Sequence, residues 1–403
     1  MKQISRMKNA IQPYAWGSRT AIAELLGESA PSENPQAELW MGAHPKAPSD
    51  VFVGGAYRSL ADEIDASPAD TLGVRVAEAF DGRLPFLFKV LAAEQPLSIQ
   101  AHPTIAQARE GFDSENERGI ALDAPNRNYR DNNHKPEIIC ALTPFWALNG
   151  FRPPDTIAAT LGEMGLLVIS REIAALAARP DEEGLRRFFT AIMTMDRDRQ
   201  RDVVAQAVLF AGKRTGQADV WDWTLNLNEQ YPGDIGVLGP FLLNLLRLEP
   251  GEAMLLHAGR LHAYLDGVGI ELMANSDNVL RGGLTPKHVD VPELLKVLSF
   301  EETRIKLLRP NDSGSYPSDV REFRLTVIAP TPDKPYDSDA RVDRDIQIMI
   351  CTEGEATVTD VSDDFRLAVR KGVTIVVPAA VERYRVEGDA TLYRASVPPG
   401  ETL

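Results

Sequence analysis

"LLRLEPGEAMLLHAGRLHAYLDG", residues 245–267, reads as an apolar strand, a Pro-Gly turn, a second apolar strand and a histidine, His262, in the next turn. Short apolar runs cut by proline and glycine are strand and turn chemistry. The same sketch recurs in "AVRKGVTIVVPAAVERYRVEG", residues 368–388. Laying Leu261-His262-Ala263-Tyr264 over Val381-Glu382-Arg383-Tyr384 keeps the upstream apolar runs in step without a gap. Two jelly-roll units in one chain is the economical account. The second unit carries Glu382 where the first has His262, and no histidine follows His288. A metal is therefore expected only in the first.

Working outward, "LPFLFKVLAAEQPLSIQAHP" (84–103) reads as two strands broken by the "AAEQP" turn. "HKPEIICALTPFWALNGF" (134–151) reads as a loop and two strands interrupted at Thr143-Pro144. After "RPPD" the period changes, and apolar residues recur at three- and four-residue intervals. Leu185, Phe188, Phe189, Ile192 and Met195 share one helical face, and the whole block is expected to pack without chemistry. The predicted fold is mainly β with an α insertion: two cupin-like jelly-roll units plus an all-helical inserted domain. Residues 1–153 and 234–309 form the expected metal-binding catalytic domain, 154–233 the helical insertion, and 310–403 a C-terminal cupin-like domain without metal.

A chain of 403 residues with 44% hydrophobic and 25% charged residues has the composition of an ordinary globular protein. Its net charge of −15 argues against nucleic-acid or anionic-membrane partners. Nothing reads as a membrane span or a signal peptide; a cytoplasmic location and a monomer are expected. Cys140 and Cys351 lie far apart in apolar runs and read as two buried free thiols.

The chemistry-bearing residues come from four segments. In "SIQAHP" (98–103), Gln100 and His102 share a face because alternation along a strand has period two. "NNHKPEII" offers His134, Lys135 and Glu137, and "GRLHAYL" offers His262. Two imidazoles, a carboxylate and a carboxamide suit zinc or a neighbouring divalent ion and leave room for a substrate oxygen. "GIELMANSDNVLRGGLTPKHVD" (269–290) adds Glu271, turn chemistry at "NSDN", and Arg281 before two glycines. Its "LTPKHVD" reads as a helix start, with Thr285 as cap and Pro286 in the first position. His44, His134, His257 and His288 read as structural histidines.

In this order, "PYAWG" (13–17), "AELWMGAHP" (37–45), "LPFLFKVL" (84–91), "SIQAHP", "HKPE" and "ELMANSDNVLRGGLTPK" resemble the type I phosphomannose isomerases. The resemblance covers most of residues 10–300. It implies one zinc ion per chain held by Gln100, His102, Glu137 and His262, and a catalytic role for Arg281. One departure is "LRGG", where the family usually has alanine in place of the first glycine, a change expected to loosen that loop. The implied reaction interconverts mannose 6-phosphate and fructose 6-phosphate by proton transfer between C2 and C1 through an enediolate. That chemistry needs a base, an electrophile at the carbonyl oxygen and a stabiliser of developing charge. Lys135, whose pKa a nearby cation would lower, and Glu271 are rival bases; Arg281 suits the charge stabiliser. Lys89 and Lys287 are the candidates for the phosphate, with Tyr264, Asp277, Trp16 and Ser98 as further substrate contacts. A metal-dependent cupin oxygenase and a non-catalytic sugar-binding bicupin are the readings from other classes.

Overall fold

The computed structural model describes residues 1–217, 219–339 and 344–400. Among these, the strands form one sheet of ten and one of nine. The long strand His262–Ala274 is the axis of the larger sheet. Its first half pairs with Phe145–Phe151 and, at His262, with Gln100; its second half lies between Phe86–Ala93 and Glu137–Ala141. One strand with four partners folds the sheet over on itself. The two strands expected in 84–103 are Phe86–Ala93 and Ile99–Ala101, and the pair after "HKP" is Glu137–Ala141 and Phe145–Phe151. His262 is the first residue of its strand rather than part of the preceding turn.

Alternation assigns each strand residue a layer. Ile99 and Ala101 point outward into a core shared with Leu185, Phe188 and Phe189 of the helical block, so Gln100 between them faces the other way. Phe86, Phe88, Val90 and Ala92 pack with Ile138, Cys140, Ile270 and Leu272 against the second sheet. That leaves Lys89, Glu137 and Glu271 on the inner face of the first unit. Beside them Leu91, Ile139, Phe145, Met254, Leu256 and Tyr264 form a dry floor. The interior is therefore apolar at one end and charged at the other.

Helices run from Pro154–Met164 to Asp219–Gln230, where the sequence period places them. The amphipathic helix Glu182–Thr194 starts on Asp181, whose side chain accepts from the Gly184 N–H, and it buries Leu185, Phe188, Phe189, Ile192 and Met193. Met195, just past its end, is partly buried against the same core. Among the described residues no helix is long and apolar enough to cross a membrane.

In the smaller sheet Gln347–Asp360 pairs with Tyr384–Ser396 along most of its length. Strand Ser5–Lys8 joins this sheet, pairing with Thr374–Val377 on one side and Asp50–Val53 on the other. The N-terminal residues thus contribute to both sheets, across the boundaries drawn from texture. Tyr264 and Tyr384 are both buried, as the superposed segments require, whereas Glu382 is exposed and pairs with Arg344 at 3.2 Å. Cys140 and Cys351 are buried and free. Thr285 does not start a helix: its Oγ1 accepts from the Lys287 N–H in an isolated turn, and the helix begins at Val291, capped by Asp290. Asp290 wins because its carboxylate accepts from the Glu293 N–H where the chain can continue as helix, with Pro292 in the first turn.

Candidate metal centre

Strand pairing lines up Gln100, His262 and Arg281. His262 and Arg281 each stand opposite Gln100, one on either neighbouring strand. Directly paired residues put their side chains on the same face, so these three form a row across the sheet. His102, just past the end of its strand, is two residues from Gln100 and turns towards the same face. Glu137 enters from the strand after the "HKP" loop.

His102 Nε2 lies 3.3 Å from Glu137 Oε1, and His262 Nε2 lies 3.5 Å from Glu137 Oε2. The other nitrogen of each ring is already committed. His102 Nδ1–H donates to the Asn278 carbonyl at 2.8 Å and His262 Nδ1–H to the Arg260 carbonyl at 3.0 Å. Backbone carbonyls thus fix both tautomers and turn the Nε2 lone pairs inward. Among the described residues, both Nε2 atoms, Glu137 Oε2 and the Tyr264 hydroxyl are buried without a hydrogen-bond partner. Buried polar atoms are rarely left unpaired, and four around one space mark a place for a ligand. His102, Glu137 and His262 can each point one ligand atom at a common centre, all within 4.8 Å of one another. The side chain of Gln100 lies on the same face, half-buried, and makes no hydrogen bond among the described residues.

The electrostatics prepare this group for a cation. Burial, reinforced by the Lys135 ammonium, pushes the His102 imidazole down to about 4, so it is neutral and able to coordinate at pH 7. Burial opposes the charge on Glu137, but Lys135 and the imidazoles hold its carboxyl well below the usual range. Lys135 donates to Glu137 Oε1 at 2.8 Å. These donor types, with the His102 imidazole neutral, fit zinc.

A second buried ion pair adjoins the first. Lys89 Nζ donates to Glu271 Oε2 at 2.8 Å and lies 3.6 Å from Glu38 Oε2. Burial disfavours the Lys89 charge, but Glu271 and Glu38 hold it above the ordinary lysine value. Burial raises the Glu271 carboxyl, with Lys89 opposing and the Glu137 and Glu38 carboxylates adding to the rise. Burial, then Glu271 and Glu137, push the Tyr264 phenol far up, so it stays a hydroxyl. Lys89 thus sits mid-strand at 6% exposure, paired with Glu271 and Glu38.

Asp277 is ion-paired with Lys46 at 2.7 Å, and Trp16 stacks on Tyr14 with ring centroids 5.8 Å apart. Ser98 is half-buried ahead of its strand, and Lys287 is exposed in the turn after Arg281. The four histidines read as structural stand outside the triad. His44 packs edge-on against Trp40, His134 pairs with Glu322 at 2.9 Å, His257 approaches Asp319, and His288 is exposed.

Two contributors were not read from sequence. Glu38 accepts from the Trp40 indole at 2.6 Å, and its only signal is an acid inside the apolar run "AELWMG". Asn278 looked like turn chemistry, yet its buried amide accepts from the Arg130 and Asp131 N–H groups and donates to the Asp131 and Asn133 carbonyls.

The family description "Phosphomannose isomerase type I, catalytic domain" matches residues 4–154, and its helical insertion domain matches residues 168–243. The mannose-6-phosphate isomerase of Salmonella typhimurium is 41% identical over 397 residues, covering 97% of this chain and 99% of that protein. The Homo sapiens protein of that name is 38% identical over 335 residues, covering 76% of each chain. A crystal structure of mannose 6-phosphate isomerase with zinc bound superposes with a TM-score of 0.90 at 39% identity, covering 98% of this chain and 99% of that one. A mutant of the Salmonella typhimurium enzyme superposes with a TM-score of 0.91 at the same identity and coverage.

Proposed function

The chain belongs to the type I phosphomannose isomerase family and is a zinc-dependent mannose-6-phosphate isomerase, and from that premise we propose how its own residues carry the reaction. The observation that supports the reading best is the set of orphaned inward atoms on His102, Glu137, His262 and Tyr264 beside two buried lysine–glutamate pairs. His102, Glu137 and His262, with Gln100, would hold the zinc, which when bound supplies Lewis acidity and a template for the sugar hydroxyls.

The substrate is the open-chain sugar, and the step is transfer of one proton between C2 and C1 through an enediolate. Glu271 is assigned as the group that takes the proton from one carbon and returns it to the other. Its burial makes it a stronger base than a solvated carboxylate, and Lys89 keeps it ionised and oriented. Lys135 uses one N–H on Glu137 and has two left to donate to the sugar oxygens O1 and O2. Arg281, in the row with Gln100 and His262, faces the enediolate oxygens, where a permanently charged planar donor stabilises charge that appears only in the transition state. The Tyr264 hydroxyl closes the dry end and keeps water from the intermediate.

A coupled assay on mannose 6-phosphate, before and after zinc removal and again after zinc is restored, tests this reading. Turnover that disappears and returns with the metal is expected. Oxygen consumption instead of isomerisation would mean a cupin oxygenase, and binding without turnover a sugar-binding bicupin.

A further inference from the structure

Arg130, Arg281 and Lys287 come from three different segments, and their side chains make no ion pair among the described residues. Arg281 lies on the strand Leu280–Gly283, and Lys287 on the turn that follows it. Arg130 is brought to the same edge because its N–H donates to the Asn278 side chain at 2.7 Å, just ahead of that strand. The Arg130 bond to Asn278 and the run of chain from Leu280 to Lys287 gather the three at one edge, where the Lys287 ammonium is depressed by burial first and then by the Arg281 and Arg130 charges.

The loop that carries Arg130 is fixed on both sides. The buried Glu115 carboxylate accepts from the Asn128 and Tyr129 N–H groups at 3.1 and 2.8 Å and pairs with Arg127 at 2.9 Å. The Tyr129 hydroxyl donates to Glu293 at 2.8 Å. Arg127 and Tyr129 are thus buried and satisfied, while Arg130 is half-buried on a rigid backbone with its guanidinium uncommitted. Holding three cations together without a counter-charge costs folding free energy, and an anion seated among them removes that cost. Arg281 belongs both to this edge and to the row with Gln100 and His262, so it joins an anion seated at Arg130 and Lys287 to the metal centre.

We propose that Arg130 is a substrate-binding residue of this enzyme, forming with Lys287 the outer half of a cationic rim that takes the phosphate of the sugar. The inference rests on the reading of the site as one for a phosphorylated sugar, and it assigns the phosphate to this edge rather than to Lys89. A guanidinium on a pre-fixed loop donates two parallel hydrogen bonds to a phosphate.

The test compares Arg130→Met and Arg130→Lys with the parent, all zinc-loaded and matched in melting temperature and zinc content. Arg130→Met should raise KM for mannose 6-phosphate by about 10- to 100-fold with kcat within about twofold, as loss of a charge-assisted pair remote from the reacting atoms does. It should weaken competitive inhibition by inorganic phosphate in parallel and leave the rate on unphosphorylated mannose at high concentration unchanged. Arg130→Lys should recover part of the loss. Unchanged KM and unchanged phosphate inhibition would overturn the proposal, as would a fall in kcat at constant KM. Calorimetric titration of inorganic phosphate into parent and Arg130→Met needs no turnover. Equal affinities there overturn the role of Arg130 even if the isomerase reading stands. A parent inactive on mannose 6-phosphate that still binds phosphate through Arg130 would overturn the isomerase reading alone.

Discussion

His102 and Asn278 are joined by a 2.8 Å hydrogen bond from the imidazole Nδ1 to the Asn278 backbone carbonyl. The same asparagine holds the Arg130–Asn133 loop through its side chain. One residue therefore orients a metal ligand and positions the segment leading to Lys135 and Glu137. Asn278→Ala keeps the carbonyl but removes the amide, which should destabilise the fold by about 2–4 kcal/mol and lower zinc affinity. His102→Ala should lose stoichiometric zinc and nearly all turnover. Metal analysis with the coupled assay checks both, and a His102→Ala protein that keeps its zinc and its activity would sink the assigned centre.

Arg281 stands opposite Gln100 across the strand pair. If it stabilises the enediolate, Arg281→Met should reduce kcat by about 10²- to 10³-fold with little change in KM. Arg281→Lys should rescue poorly, since an ammonium does not reproduce the planar fork. A defect confined to KM for the phosphorylated sugar would move Arg281 to the phosphate and leave the reacting carbons to Lys135 and Glu271.

Lys89 compensates two buried carboxylates, Glu271 and Glu38. Lys89→Met leaves both without their cation, a change that costs about 3–5 kcal/mol when a buried pair is broken. Urea unfolding of the zinc-loaded protein should show that loss. A variant as stable as the parent, defective only in KM for the phosphorylated sugar, would return Lys89 to the phosphate.

Glu322 is depressed below the ordinary glutamate value. Burial raises it, but His134 and then Arg321 more than offset that. A depressed carboxyl contributes stability that is present above its unfolded pKa and is lost as pH falls through the folded one. Glu322→Gln should therefore cost about 1–3 kcal/mol at pH 7, and the difference from the parent should shrink as pH falls below the unfolded glutamate value of about 4.3. Denaturation midpoints across that range check it; a difference independent of pH would mean the contact is not ionic.

Gly282 lies within a strand rather than the loop expected from the sequence, and its φ is not in the left-handed region. An added Cβ would stand 3.2 Å from Leu261 Cδ2. Leu261 borders a small apolar cavity with Ile99, Ile192 and Leu243, so it has room to give way. Gly282→Ala should raise stability by about 0.4–1 kcal/mol without changing turnover, read as a higher denaturant midpoint. Gly283→Ala should do the reverse, because its φ of 139° is strained for any side chain and a Cβ would meet the Gly236 backbone at 2.8 Å.

The strands around "SIQAHP" and "HKPEII", the helices after "RPPD" and the paired jelly-roll segments were legible because each is written in a local period or a turn residue. The helix expected at Thr285 failed because two capping signals, Thr285-Pro286 and Asp290 with Pro292, compete within a few residues, and local chemistry does not rank them. The join of strand Ser5–Lys8 to Thr374–Val377 left no signal at all, since hydrogen-bond partners that far apart impose no pattern on either segment.

The sequence by itself determined the donor types, the faces of their strands and the resemblance those motifs carry. Gln100 and His102 share a side whatever the rest of the chain does, because side-chain alternation is local. Tertiary structure alone decided that Gln100, His262 and Arg281 stand in one row, that Lys89 is spent on Glu271, that Asn278 turns His102, and that Arg130 joins Lys287. Each of these depends on register between strands or on a loop pinned to a distant segment. Such contacts are set by the packing of the whole chain, and no short stretch encodes them.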